Sequence, residues 1–327
     1  MNEKFVRILT AIFLLGGLVT IGVAWWLGQS NTVTLHAHMP EAGGWTPSDL
    51  TVAAGQPLHL RLTSDDVMHG FAIGQSAQPA VDVKPGEMTD YTVMFDKPGT
   101  YTFYCTRWCG PNHWRMRGMI TVTGEGAEEP VTPPLYVQLG LDIDAPHKAR
   151  IVSAENPSAQ RGADIALDLS AYQSQYYYRS HSPEEAWQDL RGDINFASYS
   201  DQQLWDSVAF IWQSNTSPDV LAEARQLYAQ NCAACHGESG GGNGVFSGEQ
   251  SQVQDEAGGM ISGHEIVSPS DFTDPIHMLS TSPAALQGKI LRGGMGTGMP
   301  MWGVIFTEGQ TWSLVSYLYT FQFEEVR

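Results

Sequence analysis

The segment from Cys105 to Met116 constrains this chain more than any other, because it gathers several soft metal ligands in one short stretch. It reads Cys-Thr-Arg-Trp-Cys-Gly-Pro-Asn-His-Trp-Arg-Met and follows the alternating run Tyr101–Tyr104, which is typical of a β-strand. Thiols together with imidazole favour copper, and zinc less strongly. The candidate ligands in this segment are Cys105, Cys109, His113 and Met116.

A further ligand has to come from elsewhere in the chain, and His69 in the sequence Asp-Val-Met-His-Gly-Phe is the candidate. One cysteine with His and Met ligands describes a mononuclear blue-copper site. Two cysteines four residues apart also allow two metal ions bridged by both thiolates. The alternative is a Cys105–Cys109 disulfide, which an oxidising compartment permits but which leaves the histidines and the methionine without a role. The complete ligand set favours the metal site.

The other two cysteines belong to the segment Cys232–His236, which reads Cys-Ala-Ala-Cys-His. This is the attachment motif of haem c, in which two thioether bonds and one axial imidazole hold the haem. A thioredoxin-like dithiol is the alternative, but that motif follows a strand, whereas residues 219–230 show a helical pattern. The expected haem-binding residues of the motif are Cys232, Cys235 and His236.

A methionine is expected as the sixth ligand of the haem iron. Met299, in the sequence Gly-Met-Pro-Met-Trp, is the candidate, with Met301 and Met295 as fallbacks. Histidine and methionine ligation raises the haem potential and leaves no open position for a substrate. We therefore expect electron transfer and no catalytic residue on this chain.

The charge of the chain limits its partners. Among 327 residues, 35 are acidic and 17 are Lys or Arg, which gives a net charge of -18. Such acidity disfavours nucleic acid and anionic lipid as partners. A hydrophobic content of 42% is ordinary for a globular protein and argues against disorder.

The first 30 residues predict a membrane anchor. The run from Ile8 to Leu27 has only Thr10 and Thr20 as polar residues, and a helix of about 20 residues spans a bilayer core. A cleaved signal peptide is the alternative, but it has a shorter apolar region and a small-residue cleavage site. Lys4 and Arg7 precede the run, so the positive-inside rule places the N-terminus in the cytoplasm and the rest of the chain outside.

The remaining sequence divides into a β-rich part and a helical part. Residues 31–124 contain short alternating runs separated by Pro-Gly turns, which predict a β-sandwich. Residues 125–133, rich in Gly, Pro and Glu, predict a linker. Helical patterns fill residues 134–214 and 215–327. The expected fold class is multidomain: a single transmembrane helix over residues 1–30, an all-β sandwich and then all-α domains.

The helical part contains an internal repeat. Residues 182–192 resemble 282–293, and residues 201–212 resemble 308–319. The offset grows from about 100 to 107 residues between the two pairs. Internal similarity of this kind indicates duplication of a structural unit, with chance similarity of two helical segments as the alternative. The first copy has no cysteine, so no haem chemistry is expected there.

On these motifs, the region from about Thr32 to Gly124 resembles the copper A domain of subunit II of haem-copper respiratory oxidases. The motif of that family reads Cys-x-Glu-x-Cys-Gly-x-x-His-x-x-Met. The resemblance implies a cupredoxin sandwich and a binuclear copper centre. Carried over position by position, it implies bridging thiolates of Cys105 and Cys109, terminal imidazoles of His69 and His113, a weak axial Met116 and the backbone carbonyl of Arg107.

Arg107 departs from that pattern, because the family commonly has Glu at this position. A carbonyl ligand tolerates any side chain, so the copper site does not depend on this residue type. The glutamate of the family also helps to bind magnesium at the interface with subunit I, which an arginine cannot do. We therefore expect no such magnesium site on this chain, which resembles the single-span branch of the family.

The C-terminal region, from about Ser217 to Arg327, resembles a class I cytochrome c domain. Oxidase subunits II with a fused cytochrome c domain are the most similar family overall. Within that resemblance, residues 134–214 are interpreted as a degenerate cytochrome c-like domain that lost its haem.

The resemblance implies the electron-entry subunit of a respiratory oxidase in the plasma membrane, with its redox domains on the periplasmic side. Electrons from a soluble or membrane-bound donor would pass through haem c and copper A to a multi-span subunit I that reduces dioxygen. Other oxidase subunits are expected partners. The open alternatives are electron entry to a nitric oxide reductase, a stand-alone anchored carrier and a copper-delivery protein.

Overall fold

The computed structural model describes residues 32–76, 78–107, 109–110, 113–126, 132–165, 167–247, 268–294 and 298–324. The chain divides into two compact units between residues 128 and 129, apart from residues 74–77, which belong to the second unit. The predicted anchor over residues 1–30 lies outside the described residues. No helix in the described ranges is long and apolar enough to cross a membrane.

The first unit is built from short strands with an alternating burial pattern. In the strand that contains Leu58, Leu60 and Leu62, these three side chains are buried while Arg61 between them is exposed, as expected for a half-buried strand. The strands are β1 (Thr32–Ala37), β2 (Trp45–Thr46), β3 (Asp49–Ala53), β4 (Pro57–Ser64), β5 (His69–Ile73), β6 (Val81–Val83), β7 (Thr89–Met94), β8 (Gly99–Tyr104) and β9 (Arg117–Thr123).

These strands form two sheets, with the orders β2-β1-β4-β7 and β3-β9-β8-β5-β6. The pairs β1–β4 and β3–β9 are parallel, and the remaining pairs are antiparallel. Aromatic side chains fill the core, where Trp45 meets Phe71 and Phe103 edge to face at 5.5 and 5.9 Å. The β-sandwich predicted from the sequence is confirmed.

Strand register gathers the candidate ligands at one end of the second sheet. Tyr104 at the end of β8 pairs with Arg117 at the start of β9, so residues 105–116 form the connection between two paired strands. Strand β5 runs antiparallel to β8, with Ala72 opposite Tyr104. His69, three residues earlier in β5, therefore lies beyond the end of β8, beside that connection.

The second unit is helical. Most of its described helices begin at a capping side chain: the Ser217 side chain accepts a hydrogen bond from the Val220 amide and Pro218 follows it, as the sequence predicts. The helices are α1 (Leu135–Gln138), α2 (Ala159–Asp164), α3 (Gln175–Ser180), α4 (Pro183–Gly192), α5 (Asp201–Ser214), α6 (Pro218–Asn231), α7 (Ala233–His236), α8 (Pro275–Met278), α9 (Pro283–Arg292) and α10 (Glu308–Tyr319).

Helix packing in this unit occurs twice in the same pattern. Helix α2 packs on α5 and α6 packs on α10, while α4 contacts α5 and α9 contacts α10. The caps correspond as well: Ser182 and Ser282 precede a proline at the start of α4 and α9, and Ser200 and Thr307 form capping boxes at α5 and α10. Helices α4 and α5, and their counterparts α9 and α10, are the segments that repeat in the sequence.

Helices α2 and α5 approach each other closely at Gly162. A Cβ atom built there would lie 2.1 Å from the backbone oxygen of Asp206, so only glycine fits. The carboxylate of Asp206 is buried and accepts two hydrogen bonds from Arg161, both at 2.9 Å. This charge pair compensates the burial of the carboxylate and fixes the helix crossing.

The segment after α1 packs on α9, the helix that precedes Met299. Tyr136 and Ile143 lie beside Gly288, where a Cβ atom would be 2.7 and 3.2 Å from their side chains. Asp144 accepts hydrogen bonds from both terminal nitrogens of Arg292. Residues from the start of the helical unit thus contact the C-terminal helices directly.

Candidate copper centre and haem-attachment site

The β8–β9 connection positions four candidate ligands in the cupredoxin unit. Cys105 directly follows β8, and Met116 directly precedes β9, so both are held by strand pairing. The amide of Cys105 donates to the Met116 carbonyl at 3.0 Å, and that same oxygen accepts from the Trp45 indole at 3.3 Å. His113 begins a short 3₁₀ turn between them.

The sulfur atom of each cysteine lies close to a histidine ring nitrogen. The Sγ atom of Cys105 lies 3.8 Å from Nδ1 of His69, and the Sγ atom of Cys109 lies 3.5 Å from Nδ1 of His113. The ligand atoms of His69 and both cysteines all lie within 4.8 Å of one another. Two sulfurs and two imidazole nitrogens thus lie close enough together to serve as a soft metal-binding site.

The weaker ligands of the predicted set lie at the same place. The Sδ atom of Met116 is 3.3 Å from the Cys109 Sγ atom, and the backbone oxygen of Arg107 is 3.2 Å from the Cys105 Sγ atom. The two cysteines, both histidines and Met116 are buried. The structure therefore brings together every residue that the sequence predicts as a copper ligand.

The Cys105 and Cys109 side chains share one hydrogen bond, which shifts the pKa values of the two thiols in opposite directions. The hydrogen bond with the Cys109 side chain lowers the pKa of Cys105 far below its usual range, although burial opposes it. The same hydrogen bond raises the pKa of Cys109, and burial adds to the increase. Because thiolates are the metal-binding form, binding of metal by both sulfurs has to release the Cys109 proton.

His69 is oriented by a carboxylate. Its Nε2 atom lies 2.7 Å from Oδ1 of Asp66, so an Nε2 proton donates to Asp66 and Nδ1 is left to face the sulfurs. Burial lowers the pKa of His69, but the hydrogen bonds to Cys105 and Asp66 outweigh it and raise the pKa above its ordinary value. The carboxylate itself is held by the Met39 and Val67 amides, both at 2.6 Å.

The second site lies in the helical unit, at the end of α6. Cys232, Cys235 and His236 line a cleft of about 200 Å³ together with Met299 and Trp302. The His236 ring stacks on Phe272 at 4.6 Å, and its Nδ1 atom lies 3.1 Å from the Ser270 carbonyl oxygen. With Nδ1 protonated for that bond, Nε2 is left available for an iron atom.

The acidities in this cleft do not favour dithiol redox chemistry. Burial raises the pKa of Cys232 to about 12, whereas nucleophilic redox cysteines have lowered values. Burial also lowers the pKa of His236, which keeps the imidazole neutral and able to ligate. No disulfide links the four cysteines, all of which lie in described segments.

Two of the three candidate methionines can be placed. Met299 lines the cleft, and its carbonyl accepts from the Gly294 amide at 3.1 Å. Gly293, with a φ of 73°, makes the turn that permits this contact. Met301 is 51% exposed, and Met295 lies outside the described residues. Met299 remains the predicted ligand.

Comparison with known families supports both sites. Residues 46–123 match the family model of the cytochrome C oxidase subunit II periplasmic domain, and residues 221–322 match that of cytochrome c. The chain is thus similar, over these two ranges, to a cytochrome c oxidase subunit II periplasmic domain followed by a cytochrome c domain. Together with the buried His, Cys and Met donors, these matches support copper and haem c as the cofactors.

The curated relatives match the subunit II part. Cytochrome c oxidase subunit 2 of Thermus thermophilus is 36% identical over 81 residues, which are 25% of this chain and 59% of the relative. The alternative cytochrome c oxidase subunit 2 of Bradyrhizobium diazoefficiens is 31% identical over 77 residues, 24% of this chain and 27% of the relative. Nitrous-oxide reductase of Ralstonia nicotianae is 32% identical over 103 residues, 29% of this chain and 15% of the relative. The chain thus covers less than two thirds of each of these relatives, from 15% to 59% of their length.

Sequence reasoning missed three residues that support the ligands of the subunit II domain. Asp66 orients His69, Trp45 holds the Met116 carbonyl, and Asp82 binds the Arg107 side chain. Asp66 could have been found from its position three residues before the candidate histidine, since ligating histidines commonly donate to a carboxylate. The other two lie far from the motif in sequence and give no local signal.

Proposed function

We propose that this chain is the electron-entry subunit of a respiratory haem-copper oxidase. It would take electrons from a donor into its cytochrome c domain and deliver them from its subunit II domain to a multi-span subunit I that reduces dioxygen. Residues 1–30 would anchor it in the plasma membrane, with both redox domains on the outer side. Residues 134–214 would form the haemless, degenerate cytochrome c-like part.

One observation carries the proposal: a single chain has a buried cluster of His, Cys and Met donors in one unit and a haem-attachment motif in the other. Bound copper and haem would supply one-electron transfer. In the subunit II domain, His69 and His113 would each ligate one copper, the thiolates of Cys105 and Cys109 would bridge both, and Met116 would be the weak axial ligand. The Arg107 carbonyl would complete the set.

The protein supplies rigidity and exclusion of water. Ligands held on paired strands and buried from solvent keep their positions when the charge of the site changes, so little reorganisation is needed. In the cytochrome c domain, Cys232 and Cys235 would hold the haem covalently. His236 and Met299 would occupy both axial positions, which leaves none for a substrate and suits electron transfer.

Metal analysis of the purified full chain tests the copper and haem assignments. We expect two copper ions and one covalently bound haem per chain, with the electron paramagnetic resonance signal of a mixed-valence copper pair. One copper ion per chain would refute the binuclear site. A chain with both cofactors that transfers no electrons from reduced haem to copper would favour a copper-delivery role.

The acceptor is tested separately, on the complex purified from membranes. We expect a multi-span subunit to co-purify and the complex to consume dioxygen with a reduced donor. Reduction of nitric oxide without dioxygen consumption would instead support a nitric oxide reductase. Isolation of the chain with no large membrane subunit would indicate a stand-alone anchored carrier.

A further inference from the structure

The residue that departs from the oxidase family pattern has a well-defined partner. The Arg107 Nε atom donates to Oδ1 of Asp82 at 2.5 Å, and its Nη2 atom donates to Oδ2 at 2.9 Å. The guanidinium and the carboxylate thus form a two-point contact, the geometry in which arginine binds carboxylates most specifically. These hydrogen bonds also lower the pKa of Asp82 and keep it ionised.

This ion pair crosses the strand that carries a copper ligand. Asp82 lies in β6 opposite Gly70 of β5, and Gly70 directly follows His69. A Cβ atom at Gly70 would lie 3.2 Å from Cγ of Arg107, so the arginine side chain runs over the bare backbone of β5 to reach β6. Glycine at this position makes the crossing feasible.

The copper loop is also bonded to β5 at the same point. The amide of Thr106 donates to the Gly70 carbonyl at 3.4 Å, and the amide of Gly70 donates to the Cys105 sulfur at 3.5 Å. The first contact is long for a hydrogen bond to oxygen, and the second is of ordinary length for one to sulfur. The bidentate pair between Arg107 and Asp82 is the shortest polar link that we find, among the described residues, between this part of the loop and strands β5 and β6.

Exposed ion pairs usually contribute little to stability, and both Arg107 and Asp82 are about half exposed. The pair Arg61–Asp90 in the same unit is of that ordinary kind, with one contact at 3.8 Å. The Arg107–Asp82 pair differs from it in two respects. It makes two hydrogen bonds, and the backbone oxygen of Arg107 lies beside the Cys105 sulfur.

We propose that Asp82 is a positioning residue of the copper centre. By holding the Arg107 guanidinium, it fixes the Arg107 carbonyl beside Cys105 and links the ligand loop to β6, the strand that pairs with the His69 strand β5. The inference rests on the proposed copper site. In this chain an internal salt bridge holds the ligand loop at the position where the family commonly has a glutamate.

The test compares Asp82→Asn with Asp90→Asn in the full chain. Each substitution removes one carboxylate charge from a surface ion pair of the subunit II domain. For Asp82→Asn we expect about tenfold faster copper loss to a chelator, at the lower end of the effect of residues that orient metal ligands. The copper hyperfine splitting should change too, whereas Asp90→Asn should match the wild type in both measurements.

Exchanging the two charged residues distinguishes the effect of the ion pair from other effects of a substitution at position 82. Arg107→Asp places two carboxylates together and should also speed copper loss, and the double variant Asp82→Arg/Arg107→Asp should return the rate towards that of the wild type. The proposal would be overturned if the effects of the two changes on copper loss were additive. It would also be overturned if the Asp82→Asn variant had wild-type copper retention and hyperfine splitting. A wild-type chain that binds fewer than two copper ions would instead refute the proposed copper centre itself.

Discussion

The Nε2 atom of His69 lies 2.7 Å from Oδ1 of Asp66, and this contact decides which ring nitrogen faces the sulfur atoms of the candidate copper centre. His69 is completely buried, so the hydrogen bond to the carboxylate determines which ring nitrogen carries the proton. The neighbouring Asp65 has different partners, His36 at 2.8 Å and His38 at 3.2 Å, neither of which is a candidate ligand.

Asp66→Ala should weaken copper binding by about 10- to 100-fold, because the His69 ring loses the partner that orients it. Asp66→Asn keeps an acceptor oxygen and should have a smaller effect. Competition with a chelator of known affinity measures the change. Asp65→Ala is the matched control and should bind copper like the wild type; equal losses in the Asp65 and Asp66 variants would contradict the assigned role.

Met116→Leu should leave copper bound but raise the reduction potential of the site. The thioether of Met116 is the weak axial donor of the predicted set, and axial ligands tune the potential of such copper sites. Leucine fills a similar buried volume, so the free energy of unfolding should fall by less than about 1.5 kcal/mol. Redox titration of the copper absorbance measures the shift. Met119→Leu, at a position 49% exposed on β9, should change neither quantity.

Met299→Leu should abolish the long-wavelength absorption band of ferric haem that accompanies methionine ligation, because Met299 lines the cleft with His236. The haem should remain covalently attached through Cys232 and Cys235, and its potential should fall. Met301→Leu, at a half-exposed position, should keep the band. Loss of the band in the Met301 variant alone would move the axial ligand to that residue.

His147 should make the helical unit less stable at acidic pH. Its Nε2 atom is buried without a hydrogen-bond partner among the described residues, and burial lowers its pKa from the usual value. Because this pKa is lowered, the folded state favours the neutral His147 ring. The contribution of the neutral ring to the stability of the unit is complete above about pH 6.5 and is lost as the pH falls towards the folded-state pKa of His147. The charged groups that also act on it are Lys289, His277, Asp142 and Glu185.

His147→Gln removes this titration and should flatten the decrease in stability below about pH 6.5. Denaturant unfolding of the wild type and the variant, from pH 7.5 down to 5, gives the difference directly. Stability curves that stay parallel over this range would contradict the prediction, because the other titrating groups are common to both proteins.

Gly162→Ala should destabilise the helical unit by about 1–3 kcal/mol, because the added methyl group would collide with the Asp206 backbone at the α2–α5 crossing. Gly192→Ala is a matched change at the end of α4, where no atom lies within 4 Å of the added Cβ. It should be stabilising by up to about 1 kcal/mol through the helix preference of alanine. Denaturant unfolding distinguishes the two; similar effects would argue against a tight crossing at Gly162.

The sequence predicted the ligand loop and the upstream histidine because soft donors at fixed spacing are rare outside metal sites. It also predicted the sandwich and the start of α6 at Ser217, since alternation and capping are local signals. Asp82 and Asp144 could not be predicted in the same way. Their partners, Arg107 and Arg292, are distant in the chain, and an exposed aspartate gives no local indication of the arginine that folding brings to it.

Strand pairing between Tyr104 and Arg117 has a consequence for how such a site can evolve. The loop leaves the sheet and returns to it at directly opposed residues, so its interior can be lengthened, shortened or rewritten without a change in register. Of the candidate ligands, only His69 lies outside it. The loop can therefore be replaced as a unit during evolution. Its residues determine how many metal ions are bound, while the same sandwich can carry a site for one ion or for two.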